Sequence, residues 1–386
     1  MAERCFLIVA ASIGSGHSKA AEAVAEELKK VYPQAGIRIV DFSAWNVSPA
    51  TAFMKASYLF MLRFIPNLYH LLYRFTGGKA GGISMQSLIS AVTARDVHAL
   101  VRKYQPDAVI CTHPFPAGAA SWRKAHYPAE FLFATVITDY SVHQMWIYPH
   151  VDCYFVAREE MKTDLAAAGL STERIHVTGI PIMADFAQPS DRSEALRRLN
   201  LSPNFPVALL MGGGLGLGGV EAALSELEQF AGNIQILVVA GKNEELKRRV
   251  EALAQRSRYD IRVWGYSSQV RTLMAAASFL ISKPGALTIS EALATELPML
   301  LHDPIPGPEA QNAAYMARRG AAVWVQEPKQ LGDALRQLLT EPERLERMRE
   351  RAREIKRPDA AHAIGRVLLG ALTHRFGSIF VKHCHS

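Results

Sequence analysis

The chain has 386 residues, of which 49% are hydrophobic and 20% are charged, a balance typical of a globular protein. Two domains are expected, because a single hydrophobic core rarely extends beyond about 250–300 residues. The formal net charge of +7 favours an anionic partner, such as a nucleotide, a nucleic acid or a membrane surface. No stretch reaches the roughly 20 apolar residues of a membrane span, so no transmembrane helix is predicted.

The N-terminal part opens with a β-loop-α-β unit, the start of a parallel sheet. Its hydrophobic pattern predicts a strand, a loop, a helix and a second strand over residues 5–11, 12–17, 18–30 and 37–40. The loop is not a dinucleotide fingerprint, because Lys19 stands at the third glycine position, and it lacks the last glycine of a P-loop. His17 lies where the loop meets the helix, at the edge where such sheets bind ligands. His17 is therefore a candidate catalytic residue, with a structural histidine as the alternative.

Residues 52–75 depart from this alternation, because their aromatic residues and leucines are interrupted by scattered cations and by Pro66. A glycine-rich, basic loop follows at residues 77–82. This composition is typical of a segment that lies in a membrane interface. A pair of core helices joined by an ordinary loop is the alternative. The candidate membrane contacts here are Phe60, Arg63, Phe64 and Arg74.

Three further strands are predicted in the N-terminal part, over residues 108–112, 131–138 and 154–157. Polar and aromatic side chains stand at or beyond their ends, on the ligand side of a parallel sheet. Asp139 is a second candidate base, and it could instead orient His17. Local hydrogen bonding is the alternative for each residue taken singly. The candidates at this edge are His113, Asp139, His143 and Trp146.

A second α/β run follows a polar linker that contains prolines. The predicted divisions are a first domain at 1–183, the linker at 184–206, a second domain at 207–356 and a C-terminal helical segment at 357–386. The apolar face of that last helix should pack back on the first domain.

The second domain contains two glycine turns after strands. Gly212 to Gly219 follow the strand 207–211, and they match the dinucleotide pattern only weakly. The next strand ends at Lys242 rather than at an acid for a ribose, and a cation suits a phosphate better. A ring at Tyr266, beyond the strand 261–264, could stack on a base.

The other glycine turn is at Pro284 and Gly285, between a buried strand and a helix that begins near Thr288. Helix N-termini carry unpaired N–H groups and partial positive charge, so they bind anions. Glu291 lies one turn into this helix, where it could reach the sugar of a nucleotide whose phosphates sit at that end. Glu309 follows the next strand and could take further sugar hydroxyls. An ordinary capped turn is the alternative.

Taken together and in this order, four motifs resemble one family, and the resemblance covers nearly the whole chain. The chain is similar to the monogalactosyldiacylglycerol synthases and the bacterial processive diacylglycerol glucosyltransferases. It is more distantly similar to the N-acetylglucosaminyltransferase that makes lipid II. The motifs are residues 12–17, residues 212–214, residues 282–285 with Thr288 and Glu291, and residues 304–307 with Glu309 and Asn312.

The resemblance implies an α/β protein of the GT-B fold, in which two Rossmann-like domains with parallel sheets face each other across a cleft. The C-terminal domain would hold a UDP-sugar, with uracil at Tyr266 and Ser267 and ribose at Glu291. His17 is the position that the family suggests for catalysis. The residues implied to contact the donor are Gly16, Gly212, Gly213, Gly214, Lys242, Tyr266, Ser267, Lys283, Gly285, Ala286, Leu287, Thr288, Glu291, Glu309 and Asn312.

The implied activity is inverting transfer of a hexose from UDP to diacylglycerol, by a peripheral enzyme at the cytoplasmic face of an anionic membrane. Pro308 stands where similar sequences carry a glutamine, so the choice between glucose and galactose stays open. No cofactor or metal is expected, and the chain contains no Asp-x-Asp pair. The number of sugars added and the oligomeric state also stay open.

Two other classes of function are weighed against this one. A nucleotide-sugar sensor at the membrane would bind the donor without turnover and would not need His17. An NAD-dependent enzyme would have to use Asp41, which ends the second strand, but the loop before it lacks the third glycine. Nucleic-acid binding has only the net charge in its favour and is not predicted.

Overall fold

The fold is known from a computed structural model, which describes residues 4–11, 15–42, 56–57, 79–128, 131–189, 191–214, 216, 219–305 and 307–376. The chain divides into two compact units. The first comprises Met1–Ala184, Pro306–Pro308 and Asp359–Ser386, and the second comprises Asp185–Ile305 and Glu309–Pro358.

The first unit is built on a six-stranded parallel sheet with the strand order β2-β1-β3-β4-β5-β6. Its strands are β1 Cys5–Ala10, β2 Gly36–Asp41, β3 Ala108–Cys111, β4 Leu132–Val136, β5 Cys153–Val156 and β6 Ile175–Val177. The first helices are α1 Ser15–Val31, α2 Lys79–Tyr104, α3 Pro114–His126 and α4 Glu159–Ala167. All six residues of β1 are buried, as expected for a central strand that is covered on both faces.

The second unit repeats this plan with the strand order β12-β11-β10-β7-β8-β9, again parallel. Its strands are β7 Val207–Met211, β8 Gln235–Val239, β9 Asp260–Trp264, β10 Phe279–Ser282, β11 Met299–Leu301 and β12 Ala322–Trp324. Its helices are α5 Arg192–Arg198, α6 Val220–Glu228, α7 Glu244–Ala254, α8 Val270–Ala276, α9 Ala286–Ala294, α10 Pro308–Arg318, α11 Leu331–Thr340 and α12 Pro342–Ile355. Alternate residues of β7, β8 and β10 pack with the apolar face of α6.

The strand orders place one switch point in each sheet, where the order of connection reverses. In the first sheet it lies between β1 and β3, and in the second it lies between β7 and β10. Ligands of open α/β sheets bind at such points, outside the carboxyl ends of the strands. His17 follows β1, and the glycine turns at Gly212 and Gly285 follow β7 and β10. Three candidate residues therefore lie where this fold binds ligands.

The predicted linker contains regular structure, and from Asp185 onward it belongs to the second unit. A 3-10 turn spans Ala184–Ala187, and α5 buries Ala195 and Leu196. The predicted domain boundaries at 183, 206 and 356 stay predictions.

The last helix, α13 Ala360–Phe376, belongs to the first unit. Its Ile364, Leu368 and Leu372 are fully buried in the core that covers one face of the first sheet. The imidazole Nδ1 of His362 lies 2.7 Å from the carboxylate of Glu27 on α1. Apolar burial thus joins α13 to α1. Within the described ranges, no helix combines the length and the apolar character that crossing a membrane requires.

Candidate active site

His17 lies in the first turn of α1, beyond the carboxyl end of β1. Its Nδ1 lies 2.7 Å from the backbone carbonyl oxygen of Thr112 and 2.8 Å from the hydroxyl oxygen of Thr138. In return, the hydroxyl of Thr112 donates to the carbonyl oxygen of His17 at 2.9 Å. A carbonyl oxygen can only accept, so this geometry assigns the proton to Nδ1 and leaves a lone pair on Nε2. A neutral imidazole held in this way can act as a base.

The surroundings of His17 favour the neutral form. Burial lowers the pKa of His17 to about 4, against a smaller opposing contribution from the hydrogen bond to Thr112. The ring of His113 meets that of His17 edge-on, with 4.6 Å between centroids. Burial, and then the neighbouring His17, hold the pKa of His113 well below its usual value. The residue His17 as a whole is nevertheless partly exposed.

The other predicted residues of this edge have structural partners. His113 caps α3 by accepting a hydrogen bond from the backbone N–H of Phe115 at 3.2 Å. His143 caps the 3-10 turn Gln144–Trp146 in the same way, through Met145. Trp146 is 3% exposed, so its indole belongs to the core. Acceptor contacts by His143 and Trp146 stay predictions.

Asp139 directly follows Thr138 at the end of β4 and is partly exposed. The hydroxyl group that contacts His17 thus belongs to Thr138, the residue before Asp139. A catalytic role for Asp139 stays a prediction.

Four predicted membrane contacts, Phe60, Arg63, Phe64 and Arg74, lie outside the described residues.

The backbone of the glycine turn after β7 lies close to neighbouring parts of the chain, so a side chain there would clash. Gly213 has a φ of 71°, which favours glycine, and a Cβ there would lie 2.9 Å from Cε of Lys283. A Cβ at Gly241, φ 65°, would lie 2.5 Å from the carbonyl oxygen of Gly213. The backbone N–H of Lys242 donates to the carbonyl oxygen of Gly214 at 3.1 Å. Lys242 and Lys283 are therefore both adjacent to this turn.

Lys283 forms an ion pair with Glu309, and both side chains are largely buried. The other carboxylate oxygen of Glu309 accepts a hydrogen bond from the backbone N–H of Ile305 at 2.8 Å. Asn312 is fully buried and donates to the carbonyl oxygen of Pro284 at 3.2 Å. Asn312 thus braces the turn that leads into α9, while Glu309 holds Lys283 beside the glycine loop.

The N-terminus of α9 offers backbone donors. Gly285 is the cap residue and has no side chain to bond the first amides, and the first bond of the helix runs from Ile289 to Gly285. The amides of residues 286–288 therefore have no partner within the helix, which is the arrangement that binds anions. Glu291 lies on the next turn and is partly exposed.

Tyr266 lies beyond β9 with 54% of its surface exposed. The ammonium group of Lys242 lies 5.5 Å from the centre of its ring. Ser267 accepts a hydrogen bond from the backbone N–H of Gln269 at 3.0 Å. The exposed area of the ring suits stacking on a base, beside a cation that suits a phosphate.

Two residues that the sequence analysis did not single out contribute to this geometry. Thr112 and Thr138 orient His17, and each directly precedes a residue that was singled out, His113 or Asp139. Their position at strand ends was a usable signal.

Among the described residues, no group of three or more His, Cys, Asp or Glu side chains is arranged to hold a metal ion.

Two parallel α/β units, with a histidine at one switch point and glycine turns with a helix N-terminus at the other, define a protein of the GT-B class. A family profile for monogalactosyldiacylglycerol synthase matches residues 17–182, and one for the glycosyltransferase family 28 C-terminal domain matches residues 208–364. Processive diacylglycerol beta-glucosyltransferases of Bacillus cereus and Bacillus cytotoxicus are 31% identical over 94% of this chain and 92% of theirs. The chain belongs to this family of monogalactosyldiacylglycerol synthases and diacylglycerol glucosyltransferases.

Solved structures confirm the predicted fold. MurG of Acinetobacter baumannii is 16% identical, with a TM-score of 0.59 over 95% of this chain and all of that one. A putative UDP-N-acetylglucosamine 2-epimerase of Listeria monocytogenes is 13% identical, with a TM-score of 0.65 over 99% of this chain and all of that one. At such identities the likeness concerns the fold alone.

Proposed function

We propose that the protein transfers a hexose from UDP to the free hydroxyl of diacylglycerol, with inversion at the anomeric carbon. The names of its curated relatives support the acceptor and the type of reaction. The observation that carries the proposal is the contact between Nδ1 of His17 and the carbonyl oxygen of Thr112, which assigns the proton to Nδ1 and so leaves Nε2 available as a base.

An alcohol is a poor nucleophile at neutral pH and needs a base that takes its proton. In the proposed step, Nε2 of His17 accepts the hydroxyl proton of diacylglycerol while the hydroxyl oxygen bonds to the anomeric carbon. The bond from that carbon to the diphosphate oxygen breaks, and UDP leaves with the electron pair. The imidazolium then returns its proton to solvent. The low pKa of His17 keeps it neutral before each turnover.

The second unit would stabilise the departing UDP. The amides of residues 286–288 and the ammonium of Lys283 supply positive charge for the diphosphate. Tyr266 would stack on the uracil, and Glu291 would bind the ribose. The ion pair with Lys283 orients Glu309, whose remaining lone pairs could accept sugar hydroxyls.

The donor is UDP-glucose or UDP-galactose. The relatives' name favours glucose, whereas Pro308 removes the side-chain amide that similar sequences offer to the sugar. The acceptor lies in a bilayer, so we propose peripheral attachment to the cytoplasmic face through residues 52–75, which lie outside the described ranges except for residues 56–57. The cationic and aromatic composition of that segment supports attachment to anionic lipids.

The deciding experiment incubates the purified full chain with liposomes that contain diacylglycerol and with each UDP-hexose in turn. We expect UDP release and a glycosylated lipid, identified by mass spectrometry, from one of the two donors. His150→Ala, which changes an exposed histidine of the same unit, is the control for histidine variants. UDP binding without any lipid product would overturn the proposal in favour of a sensor.

A further inference from the structure

The ring of His17 is held between two threonines that end adjacent strands of the first sheet. Thr112 follows β3 and contributes its carbonyl oxygen, and Thr138 lies two residues beyond β4 and contributes its hydroxyl oxygen. Both threonines are buried. The Thr138 hydroxyl also lies 3.4 Å from the same carbonyl oxygen of Thr112. Three polar groups from three parts of the chain therefore form one small hydrogen-bonded cluster.

We infer that Thr138 is a positioning residue for His17. The hydroxyl oxygen of Thr138 and the carbonyl oxygen of Thr112 both accept the Nδ1 proton of His17, and together they fix the plane of the ring. The inference rests on the proposed function, in which His17 is the base. One acceptor fixes the tautomer, but the ring can still swing about its Cβ–Cγ bond. A second acceptor on another strand removes that freedom and fixes the direction of the Nε2 lone pair.

The chemistry of the cluster determines the roles within it. The Thr138 hydroxyl can donate its own proton to the Thr112 carbonyl, which leaves its lone pairs for the Nδ1 proton. Both oxygens are neutral, so they orient the ring without the charge attraction of a carboxylate, and the bond to Thr112 raises the pKa of His17 by less than burial lowers it. When Nε2 takes a proton, the charge that appears on the ring strengthens the bonds from Nδ1. The hydrogen bonds from Nδ1 to the two threonines are thus strongest after Nε2 has taken the proton.

Thr135 provides a matched control. It lies on β4, is fully buried, and has a hydroxyl without a hydrogen-bond partner among the described residues. Thr135→Val and Thr138→Val make the same chemical change on the same segment. Thr138→Ser keeps the hydroxyl that the inference requires.

The test combines kinetics, calorimetry and NMR on the full chain. Thr138→Val should lower kcat about tenfold, which is less than the loss expected when the general base itself is removed. The Kd for UDP should stay within about twofold of the wild-type value. Thr138→Ser should restore most of kcat, and Thr135→Val should match the wild type. An unchanged kcat in Thr138→Val, or an equal loss in Thr135→Val, overturns the inference.

The NMR arm does not depend on turnover. In protein with ¹⁵N-labelled histidine, assigned against His17→Ala, the wild type should show a protonated Nδ1 on His17 that exchanges slowly with solvent. That proton should exchange faster in Thr138→Val and not in Thr135→Val. If neither donor is turned over, the proposed function fails, and this comparison alone decides the inference. An unprotonated Nδ1 in the wild type, or equal exchange in the two valine variants, overturns it.

Discussion

The candidate sites of the two units are built from different parts of the chain. In the first unit a side chain is oriented by other groups: the imidazole of His17 is bonded by a carbonyl and by a hydroxyl. In the second unit the backbone dominates, through the glycine turn at Gly213 and the amides at the start of α9. A base needs a defined protonation state, which the hydrogen bonds of its ring provide. A diphosphate needs many donors at short range, which an exposed backbone provides.

The largest effect should come from the side chain in the first unit. His17→Ala should lower kcat by about 10² to 10⁴, the usual worth of a general base, because no lone pair then receives the acceptor proton. The Kd for UDP, measured by calorimetry, should stay within about twofold. If His17→Ala weakened UDP binding by as large a factor as it lowered kcat, the first unit would also bind the donor, and the contrast between the two sites would fail.

A loss of binding should follow from the one acidic side chain assigned to the nucleotide. Glu291→Ala should weaken UDP binding by tens of fold, since a lost hydrogen bond between a charged group and a ribose costs about 2 kcal/mol. Glu251→Ala, on α7 and also partly exposed, is the control and should bind UDP normally. Equal affinities for the two variants in calorimetry would remove Glu291 from the site.

A backbone site should be sensitive to a single added methyl group. Gly213→Ala places an L side chain at a φ of 71° and a Cβ 2.9 Å from Cε of Lys283, so we expect UDP affinity to fall severalfold. Gly169→Ala introduces the same kind of strain at a φ of 95°, where a Cβ meets no atom within 4 Å. Both should lose about 1–2 kcal/mol of unfolding free energy in urea melts.

Only Gly213→Ala should lose UDP affinity. If Gly169→Ala weakens UDP binding equally, the effect comes from general destabilisation and the glycine turn has no special part in binding.

The smallest effect concerns pH. A neutral His17 with a pKa of about 4 should keep kcat/KM nearly constant from pH 8 to pH 5.5, and activity should fall only on further acidification. A base with the usual histidine pKa near 6.5 would instead lose activity below pH 6.5. A pH–rate profile with its midpoint between 6 and 7 would show that burial does not control this group.

The same shift has a consequence for stability. The pKa of His17 is lower in the folded state than in the unfolded state, so the unfolded chain binds more protons between about pH 6.5 and pH 4. The free energy of unfolding should therefore fall as the pH is lowered through this window. His17→Gln should make that dependence shallower in urea melts, although His113, whose pKa is lowered in the same direction, will retain part of it.

Much of the fold was predictable because buried parallel strands are short apolar runs. The pattern identified β1 and β10 and the glycine turns that follow β7 and β10. Helix starts were less accurate: α1 begins at Ser15 and α9 at Ala286, earlier than the predicted Ser18 and Thr288. The residues between the observed and the predicted starts, Ser15 to His17 and Ala286 to Leu287, are too few to show a helical period.

The short outer strands β6 and β12, three residues each, were not predicted. A run of three residues cannot show a period, and only pairing with a neighbouring strand makes it a strand. Likewise, the prolines and polar composition of residues 184–206 predicted a linker, but Asp191 accepts a hydrogen bond from the backbone N–H of Glu194 and caps α5, whose Ala195 and Leu196 are buried within the second unit. The Asp191–Glu194 spacing is a local helix-start signal that the linker prediction passed over, and packing then stabilises so short a helix.

The sequence by itself determined the class of the protein, the two α/β repeats and the position of His17 at a strand end, since these depend on local patterns and on neighbours along the chain. Only the tertiary structure decided how His17 is held. Thr112 is 95 residues away from it and Thr138 is 121 residues away. Parallel strands bring their carboxyl ends to one edge whatever their separation in sequence, so the protonation state of the base depends on contacts that no local pattern contains.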